Sequence, residues 1–366
     1  MNPSISKISV DDDMYRFTLS GINVSFANSL RRTILNDIPT TVMYTETYND
    51  NQCNIIENTS RLHNEIIKQR ISCIPVHVKE LDLLPNNYIL EVDVTNDTDG
   101  IIYVTTEDFR IKNKNNGNYL TKDETRKIFP LCEKTNSYID FARLRPKMGN
   151  LPGETLRLTC EFSVGTAKES GMFNVVSTCS YGNTVDLEKV STVWDEYEDK
   201  LKSEQMNEDD IKMHKKNFYL LDAQRQYKED SYDFVIQSIG VYENKEIVKL
   251  ACNTLIQQLT ELSVNIDSDI IPIKPSETTM ENSFDIVLEN QDYTIGKIIE
   301  YALYDMYYLN EKKLMFCGFK KFHPHDDESI IRLAYDSVVD KNLIRMHLNS
   351  ACTNCKEFYE KVSKLF

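Results

Sequence analysis

The feature that most constrains the fold is a strand–turn–helix unit that occurs twice, once near each end of the sequence. In the first copy, residues 14–19 (MYRFTL) alternate between apolar and polar side chains, which is typical of a half-buried strand. The helix that follows carries apolar residues on one face, at Ala27, Leu30 and Ile34. We predict Ser25 as its N-cap and Pro39 as the residue that stops it, because proline cannot continue the amide ladder.

The second copy lies far downstream, with a strand at 284–288 (FDIVL) and Thr294 as the predicted helix cap. The apolar stripe of its helix is formed by Ile295, Ile298, Ile299, Ala302, Leu303 and Met306. Two copies this far apart do not indicate a solenoid, whose repeats recur about every 20–50 residues. Either the chain contains two related halves that pack against each other, or a common motif has arisen twice by chance.

The stretch between the two copies is rich in predicted strands. Short apolar runs bounded by Asn, Asp, Gly and Pro occur at 71–78, 88–94, 100–106 and 155–162. Residues 194–216 are charged and have almost no apolar stripe, so we predict a solvated helix or loop there. A strand at 232–239 and an amphipathic helix at 247–262 follow.

The last hundred residues contain a predicted linker and a terminal helix. Residues 263–282 include two prolines and many small polar residues, which is typical of a linker. The final helix keeps an apolar face formed by Leu348, Cys352, Cys355, Phe358, Tyr359, Val362 and Leu365. A helix with so apolar a face is expected to pack against another part of the protein or against a partner. Taken together, the elements predict the α+β fold class.

Length, charge and cysteine content narrow the classes of function. A chain of 366 residues corresponds to two or three domains. Its net charge of −15 repels phosphates, so any nucleic acid that it serves is expected to be held by a partner. The 11 glycines form neither a GxxxxGK nor a GxGxxG string, and nine scattered cysteines do not resemble a disulfide framework. With no signal-peptide pattern and no apolar run of spanning length, we expect a soluble intracellular protein.

Three clusters contain residue types that bind metals: Asp11–Asp13, the HPHDD segment at 323–327, and Cys352 with Cys355. Three adjacent carboxylates can bind Mg²⁺, but residues of this kind just before a strand more often form a solvated turn. In HPHDD, Pro324 directs its neighbours to opposite sides, which favours a bend between two strands over a hydrolase centre. The two cysteines need further zinc ligands, of which His347 is one candidate, whereas their spacing already suits a buried helix stripe.

Arg31 and Arg32 are the most informative charged residues. They lie on the flank of the apolar face in the helix ANSLRRTIL. One interpretation is a solvated pair of helix arginines. The other is a bidentate clamp on the carboxylates or backbone of a partner, for which arginine suits better than lysine.

The same residues carry a family resemblance. FANSLRRTILNDIPT (26–40) and NTSRLHNEIIKQRISCIPV (58–76) resemble the signature of the alpha-like assembly subunits of cellular RNA polymerases. The matching positions are Asn28, Leu30, Arg31, Arg32, Pro39, Thr40, Asn58, Ser60, Glu65, Arg70, Ile74 and Pro75. Residues 166–182 and 232–262 are similar to later parts of the third-largest subunit of RNA polymerase II, with Phe173 where a Trp is common.

The second half resembles the small eleventh subunit, which pairs with the third. The matching positions are Asp292, Tyr293, Thr294, Ile295, Gly296 and Lys297, then Phe316, Gly318, Phe319, His323, Pro324 and His325. Lys297 and His325 depart most from the pattern of that subunit. The two resemblances in one chain are similar to the fused subunits of large cytoplasmic DNA viruses.

The resemblance implies an intramolecular pseudo-heterodimer with an inserted β-rich domain. The implied domains are 1–45 and 178–262 for dimerisation, 46–177 for the insertion, 263–282 for the linker, and 283–366 for the smaller half. The residues expected to pair the halves are Ile34, Thr294, Gly296, Ile298, Ile299 and Leu303. Those expected at the interface with other subunits are Asn28, Ser29, Leu30, Arg31, Arg32, Pro39, Glu65 and Arg70.

The implied function is that of a non-catalytic assembly subunit of a DNA-dependent RNA polymerase. Its partners would be the two large catalytic subunits, with Arg31, Arg32, Glu65 and Arg70 facing the second-largest, together with small assembly subunits. The resemblance implies no cofactor, no metal, no membrane and no direct promoter contact. The expected location is the viral factory in the cytoplasm or the virion for a viral chain, and otherwise the nucleus. The alternatives are a metal-dependent hydrolase and a free-standing DNA-binding transcription factor.

Overall fold

The computed structural model describes residues 1–46, 48–277 and 279–366. Its strands are β1 (Ser4–Asp11), β2 (Met14–Ser20), β3 (Thr40–Val42), β4 (Cys53–Asn58), β5 (Tyr88–Thr95), β6 (Ile102–Thr105), β7 (Arg110–Asn113), β8 (Asp140–Leu144), β9 (Thr155–Glu161), β10 (Ser163–Gly165), β11 (Val176–Val185), β12 (Tyr227–Ser238), β13 (Ile273–Pro275), β14 (Ser283–Glu289), β15 (Leu314–Lys320) and β16 (Glu328–Tyr335). Its α-helices are α1 (Val24–Asn36), α2 (Asn64–Ser72), α3 (Lys122–Ile128), α4 (Leu187–Ser203), α5 (Glu208–Leu220), α6 (Asn244–Asp267), α7 (Tyr293–Leu303) and α8 (Lys341–Ser363). The predicted α+β content is confirmed.

The chain divides into two compact units. The first contains residues 1–33, 178–237 and 248–366, and the second contains residues 34–177 and 238–247. The first unit therefore combines the N-terminal strands, the segment around β12 and the whole C-terminal part of the chain.

One sheet of the first unit has the strand order β1-β2-β12-β11. Strands β1 and β2 form a hairpin whose turn residues Asp12 and Asp13 both have positive φ, 47° and 67°, a pattern typical of a tight two-residue turn. Strand β2 then pairs antiparallel with β12, more than 200 residues away, from Ser231 to Ile236. Phe17 of β2 and Phe234 of β12 are opposite each other and stack at 5.2 Å, which buries both rings.

The other sheet of the first unit has the order β13-β14-β16-β15. Asp285 and Arg332 face each other across β14 and β16 and form a bidentate ion pair at 2.6 and 2.8 Å. The HPHDD segment lies in the connection between β15 and β16, so the predicted bend between two strands is confirmed.

Two predicted segments of the first unit are refined by its helices. Residues 194–216 lie mostly within α4 and α5 and are largely exposed, so the solvated helix, one of the two predicted alternatives, is confirmed. The two helices also share a small core formed by Val190, Trp194, Phe218 and Ala223, which the sparse apolar residues of the segment did not predict. The predicted linker at 263–282 is shorter than expected, because residues 263–267 continue α6 and Ile273–Pro275 pair with β14. Thr278, within that linker, lies outside the described residues.

The second unit contains the sheet β4-β9-β5-β7 and the two-stranded pairs β6-β8 and β10-β3. Its core includes Ile67 and Ile71 on one face of α2, together with Leu90, Leu158 and Phe141. The predicted strand at 71–78 is wrong. Helix α2 ends at Ser72, and the residues after it form an irregular segment. The apolar run there fills the core without pairing to a strand. The length of an apolar run does not distinguish a buried strand from a buried irregular segment.

Candidate functional site: a helix-pairing surface

The helix-pairing surface comprises Phe26, Ser29 and Arg32 of α1 with the residues that they contact on α7 and α8. Helix α1 begins after Asn23, whose side-chain oxygen accepts a hydrogen bond from the amide of Ser25 at 2.9 Å. The predicted cap at Ser25 is therefore wrong by two positions, and Asn23 satisfies the first free amide instead. Phe26, Ser29 and Arg32 follow at intervals of three, which places them along one side of the helix.

The polar end of this surface joins Arg32 to the start of α7. Arg32 donates one hydrogen bond to the carboxylate of Asp292 at 2.5 Å and another to the hydroxyl of Thr294 at 2.9 Å. Asp292 is also the N-cap of α7, since its other oxygen accepts from the Thr294 amide at 2.7 Å. The predicted cap at Thr294 is wrong for this reason. One carboxylate thus caps α7 and binds a guanidinium from α1.

The buried part of the surface joins α1 to α8. The hydroxyls of Ser29 and Tyr359 share a hydrogen bond of 2.5 Å, and both side chains are almost fully buried. Burial raises the pKa of Tyr359 well above its ordinary value, so its phenol stays protonated and able to donate. This buried polar pair is satisfied. Removing Tyr359 would take away the hydrogen bond of the buried Ser29 hydroxyl, whereas the Tyr359 hydroxyl also donates to the Phe26 carbonyl at 3.5 Å.

Aromatic rings surround this hydrogen bond. Phe26 of α1 is 1 % exposed, and its ring centroid lies 4.5 Å from Phe358, 5.6 Å from Tyr359 and 6.0 Å from Tyr301. The Phe358 and Tyr301 contacts are edge-on, the geometry that aromatic quadrupoles favour. Phe26 is therefore the apolar anchor of the surface.

The residues predicted from sequence to pair the two halves are all buried: Ile34, Thr294, Gly296, Ile298, Ile299 and Leu303. Of these, Thr294 contacts α1 directly through Arg32. Gly296 allows close approach of β15, because a Cβ there would lie 2.1 Å from the ring of Phe319. Sequence reasoning missed Phe26, Tyr301 and Asp292 as pairing residues. The Asp-x-Thr pattern at the start of α7 was the available signal for Asp292.

The match to known proteins agrees with this assembly of elements. Residues 16–259, well over half of the chain, match the RNA polymerase Rpb3/Rpb11 dimerisation domain. The chain belongs to this family.

Relatives in the Rpb3/Rpb11 family include archaeal proteins named DNA-directed RNA polymerase subunit Rpo3. The one from Pyrococcus furiosus is 36 % identical over 97 residues, which are 25 % of this chain and 34 % of the relative. The one from Methanosphaera stadtmanae is 22 % identical over 271 residues, covering 67 % of this chain and 92 % of the relative. The chain thus spans about one third of the Pyrococcus relative. The family match ends at residue 259, before β14 and α7.

The predicted contacts with other subunits of an Rpb3/Rpb11-type assembly differ in their exposure. Arg31 is half-buried and bonded to Asn28 at 3.0 and 3.2 Å, whereas Ser29 and Leu30 are buried. Arg32 is engaged by Asp292, so its guanidinium is not available as a free clamp. Of the pair, Arg31 is the arginine that remains turned away from the helix-pairing surface.

The remaining predicted interface residues lie in the second unit. Pro39 is half-buried, and its carbonyl accepts a hydrogen bond from Tyr242 at 3.0 Å. Glu65 is exposed in the first turn of α2, while Arg70 donates to the backbone carbonyls of Phe141 and Asp140 at 2.7 and 2.6 Å. Arg70 therefore fixes α2 against β8, a positioning role that the sequence did not suggest.

The metal candidates do not converge. Among the described residues, no group of three His, Cys, Asp or Glu side chains is placed to hold a metal ion. In the HPHDD segment, His323, His325, Asp326 and Asp327 are all exposed in the turn. Cys352 and Cys355 are buried in α8, and burial raises the pKa of both thiols. His347 is also buried, where its ring stacks on Tyr307 at 3.8 Å and pairs with the Tyr335 hydroxyl.

The described part of the chain also contains no helix that is both long and apolar enough to cross a membrane.

The Asp292 carboxylate makes the surface sensitive to acid. Burial disfavours its charge, but hydrogen bonds from Thr294 and the charge and hydrogen bond of Arg32 outweigh that effect and hold the pKa of Asp292 below its ordinary value. A carboxyl whose pKa is lowered by folding stabilises the folded state above its unfolded-state pKa, about 4, and loses that contribution as pH falls.

We therefore expect the melting temperature of the wild type to fall more steeply below about pH 5 than that of Asp292→Asn. Scanning calorimetry from pH 7 to pH 3 measures this difference. Asp209→Asn is the matched control, because its side chain in the same unit is 93 % exposed. Parallel melting curves for the wild type and Asp292→Asn would contradict the assignment.

Proposed function

We propose that the chain is a non-catalytic assembly subunit of a multisubunit DNA-dependent RNA polymerase. The observation that carries this proposal is the helix-pairing surface, in which the Asn-x-Leu-Arg-Arg helix of an Rpb3/Rpb11-family domain packs on α7 and α8. The relatives named DNA-directed RNA polymerase subunit Rpo3 support the same assignment.

The pairing in this proposal is internal to one chain. The part up to α6 acts as the larger alpha-like partner, with 46–177 as its inserted β-rich domain, and 283–366 acts as the smaller one. The charged contact from Arg32 to Asp292 and the buried contact from Ser29 to Tyr359 join the two parts. Joining the partners covalently gives each an effective concentration of roughly millimolar for the other. The pair therefore forms whatever the concentration of the protein in solution.

The paired unit would recruit the two large catalytic subunits and small assembly subunits. Arg31, with Asn28 holding its guanidinium, is the contact proposed for the second-largest subunit, and Glu65 is an exposed candidate in the second unit. Catalytic metal would then reside in the large subunits. The protein would work where such a complex transcribes, in the cytoplasm or virion for a viral polymerase and in the nucleus otherwise.

The two alternative functions have less support. A metal-dependent hydrolase needs ligands that converge, and the HPHDD side chains are spread over an exposed turn. A free-standing DNA-binding factor needs a basic face, whereas the chain has a net charge of −15.

Affinity purification of the tagged chain from its native source tests the proposal. We expect two further chains, each larger than about 100 kDa, and RNA synthesis on a DNA template by the purified complex. Recovery of the chain alone, without polymerase activity, would overturn the assembly role. A metal analysis and a gel shift at physiological salt on the same preparation would then test the hydrolase and the DNA-binding factor.

We propose different roles for the two arginines. Arg31→Ala is expected to reduce recovery of the large subunits about tenfold or more while the melting temperature stays near that of the wild type, because the Arg31 guanidinium hydrogen-bonds Asn28, three residues away on the same helix. Arg32→Ala is expected to lower the melting temperature, since it leaves Asp292 without its cation. Arg16→Ala, on the exposed face of β2, is the control for loss of a surface arginine. Undiminished recovery with Arg31→Ala would remove that residue from the interface.

A further inference from the structure

Two buried cysteines of the second unit face each other across β4 and β9. Cys53 and Cys160 are directly opposite in the antiparallel register, and they are 2 % and 0 % exposed. Both are free thiols. They lie 107 positions apart in sequence, so their juxtaposition is produced entirely by the sheet.

The register places these cysteines at a site that a disulfide can bridge. The Glu161 amide donates to the Gln52 carbonyl at 3.1 Å, which marks 52 and 161 as a hydrogen-bonded pair. Hydrogen-bonded and non-hydrogen-bonded pairs alternate along an antiparallel ladder, so Cys53 and Cys160 form a non-hydrogen-bonded pair with Cα atoms about 4.5 Å apart. That separation lies inside the range of roughly 4.4–6.8 Å that disulfides require.

The two thiols differ in access and in acidity. Cys53 is part of the wall of an open cleft of about 530 Å³, which Lys68, Asn64 and Thr159 also line, whereas Cys160 is not among the residues of the wall. Hydrogen bonding with Cys160 and the charge of Lys68 lower the pKa of Cys53 although burial opposes this, and the same interaction raises the pKa of Cys160. Of the two cysteines, Cys53 therefore borders the cleft, and its thiol is the more readily ionised.

We propose that Cys53 and Cys160 form a redox-active dithiol that small peroxides oxidise to a disulfide. The Cys53 thiolate attacks one oxygen of hydrogen peroxide, the O–O bond breaks, and the released hydroxide takes up a proton to give water and Cys53 sulfenic acid. The Cys160 thiol then attacks the sulfenic sulfur and forms the S–S bond, and the departing hydroxide takes the Cys160 proton as a second water. Two thiols lose two electrons, and one peroxide gains them.

The product would join β4 to β9 covalently in the core of the second unit. Cys352 and Cys355 serve as the comparison for the rate of oxidation. Both are fully buried in α8 at helical spacing, and neither lines the cleft that Cys53 borders. Exposed Cys73 and Cys132 would form mixed or intermolecular products, so the experiment uses the full chain with both replaced by serine.

The test treats this protein with hydrogen peroxide, blocks the remaining thiols with an alkylating agent, and measures intact mass and proteolytic peptides. We expect one fewer pair of alkylated thiols, a cross-linked peptide that contains Cys53 and Cys160, and reversal by dithiothreitol. Cys160→Ser is expected to accumulate sulfenic acid at Cys53, detected by a dimedone adduct, because no second thiol resolves it. Cys53→Ser is expected to give neither product.

Two results would overturn the proposal. One is the absence of the Cys53–Cys160 peptide from peroxide-treated protein that is otherwise folded by circular dichroism. The other is oxidation of Cys352 and Cys355 at the same rate, since that would show general unfolding in place of a specific dithiol. Both readouts use protein in which Cys53 and Cys160 are intact, so they do not depend on whether Cys53→Ser and Cys160→Ser fold.

Discussion

Phe26→Ala is expected to lower the free energy of unfolding of the first unit by about 3–5 kcal/mol, the usual cost of truncating a fully buried phenylalanine. Phe26 contacts rings from α7 and α8 at once, and the cavity left by its removal would be lined by Tyr301, Phe358 and Tyr359. Calorimetry of the full chain measures the effect. Phe322→Ala is the control, because that ring is 63 % exposed and belongs to the same unit.

The same variant tests whether the two parts of the chain are held together by this surface. A protease site inserted after Ser268, in the turn that follows α6, allows the chain to be cut between the proposed halves. The cut wild type is expected to elute as one species, and cut Phe26→Ala to release its C-terminal fragment. If the fragments of Phe26→Ala stay together as firmly as those of the wild type, Phe26 is not the anchor of the pair.

Gly296→Val is expected to destabilise the first unit by about 1–3 kcal/mol, the typical cost of overpacking. A Cβ at this position would lie 2.1, 2.4 and 2.5 Å from three atoms of the Phe319 ring, which itself packs edge-on against Tyr293 at 5.2 Å. The few tenths of a kcal/mol that valine gains over glycine in a helix do not offset a clash of this size. Chemical denaturation monitored by circular dichroism measures the change.

A double-mutant cycle identifies the cause of that loss. Phe319→Ala removes the ring that clashes, so the double variant is expected to be more stable than the sum of the two single effects predicts. Gly182→Val is the control, because a Cβ there meets nothing within 4 Å. Strict additivity of Gly296→Val and Phe319→Ala would show that the glycine is needed for some reason other than close approach of β15.

The regular elements of the first unit were largely readable from sequence. The alternation in MYRFTL and FDIVL and the apolar faces of α6, α7 and α8 are strong periodic signals, and the structure has these elements with small changes at their ends. The prediction of a strand at 71–78 was wrong, because the apolar run around Pro75 fits a strand pattern. In the structure these residues fill the core after the end of α2. The small core shared by α4 and α5 was not predicted, because it depends on Trp194 and Phe218, which sequence spacing does not bring together.

The candidate site was predictable only in part for a different reason. Buried apolar residues such as Ile298 and Leu303 follow from periodicity, whereas a polar contact depends on which side chains meet in three dimensions. Arg32 shows this clearly, since its neighbour Arg31 has the same local pattern but a different partner. The Asp292 carboxylate that distinguishes them is 260 positions away in sequence.

The strand order β1-β2-β12-β11 has a consequence for synthesis on the ribosome. The hairpin of β1 and β2 emerges early, but the strand that pairs with β2 ends more than 200 residues later. At about 5–20 residues per second, β2 has an open edge for roughly 10–45 s of translation. Residues 34–177 of the second unit are contiguous and are complete within that interval. The nascent chain therefore presents a hairpin with one unpaired edge during more than half of its translation, and the first twenty residues are then a segment that a holding chaperone can bind.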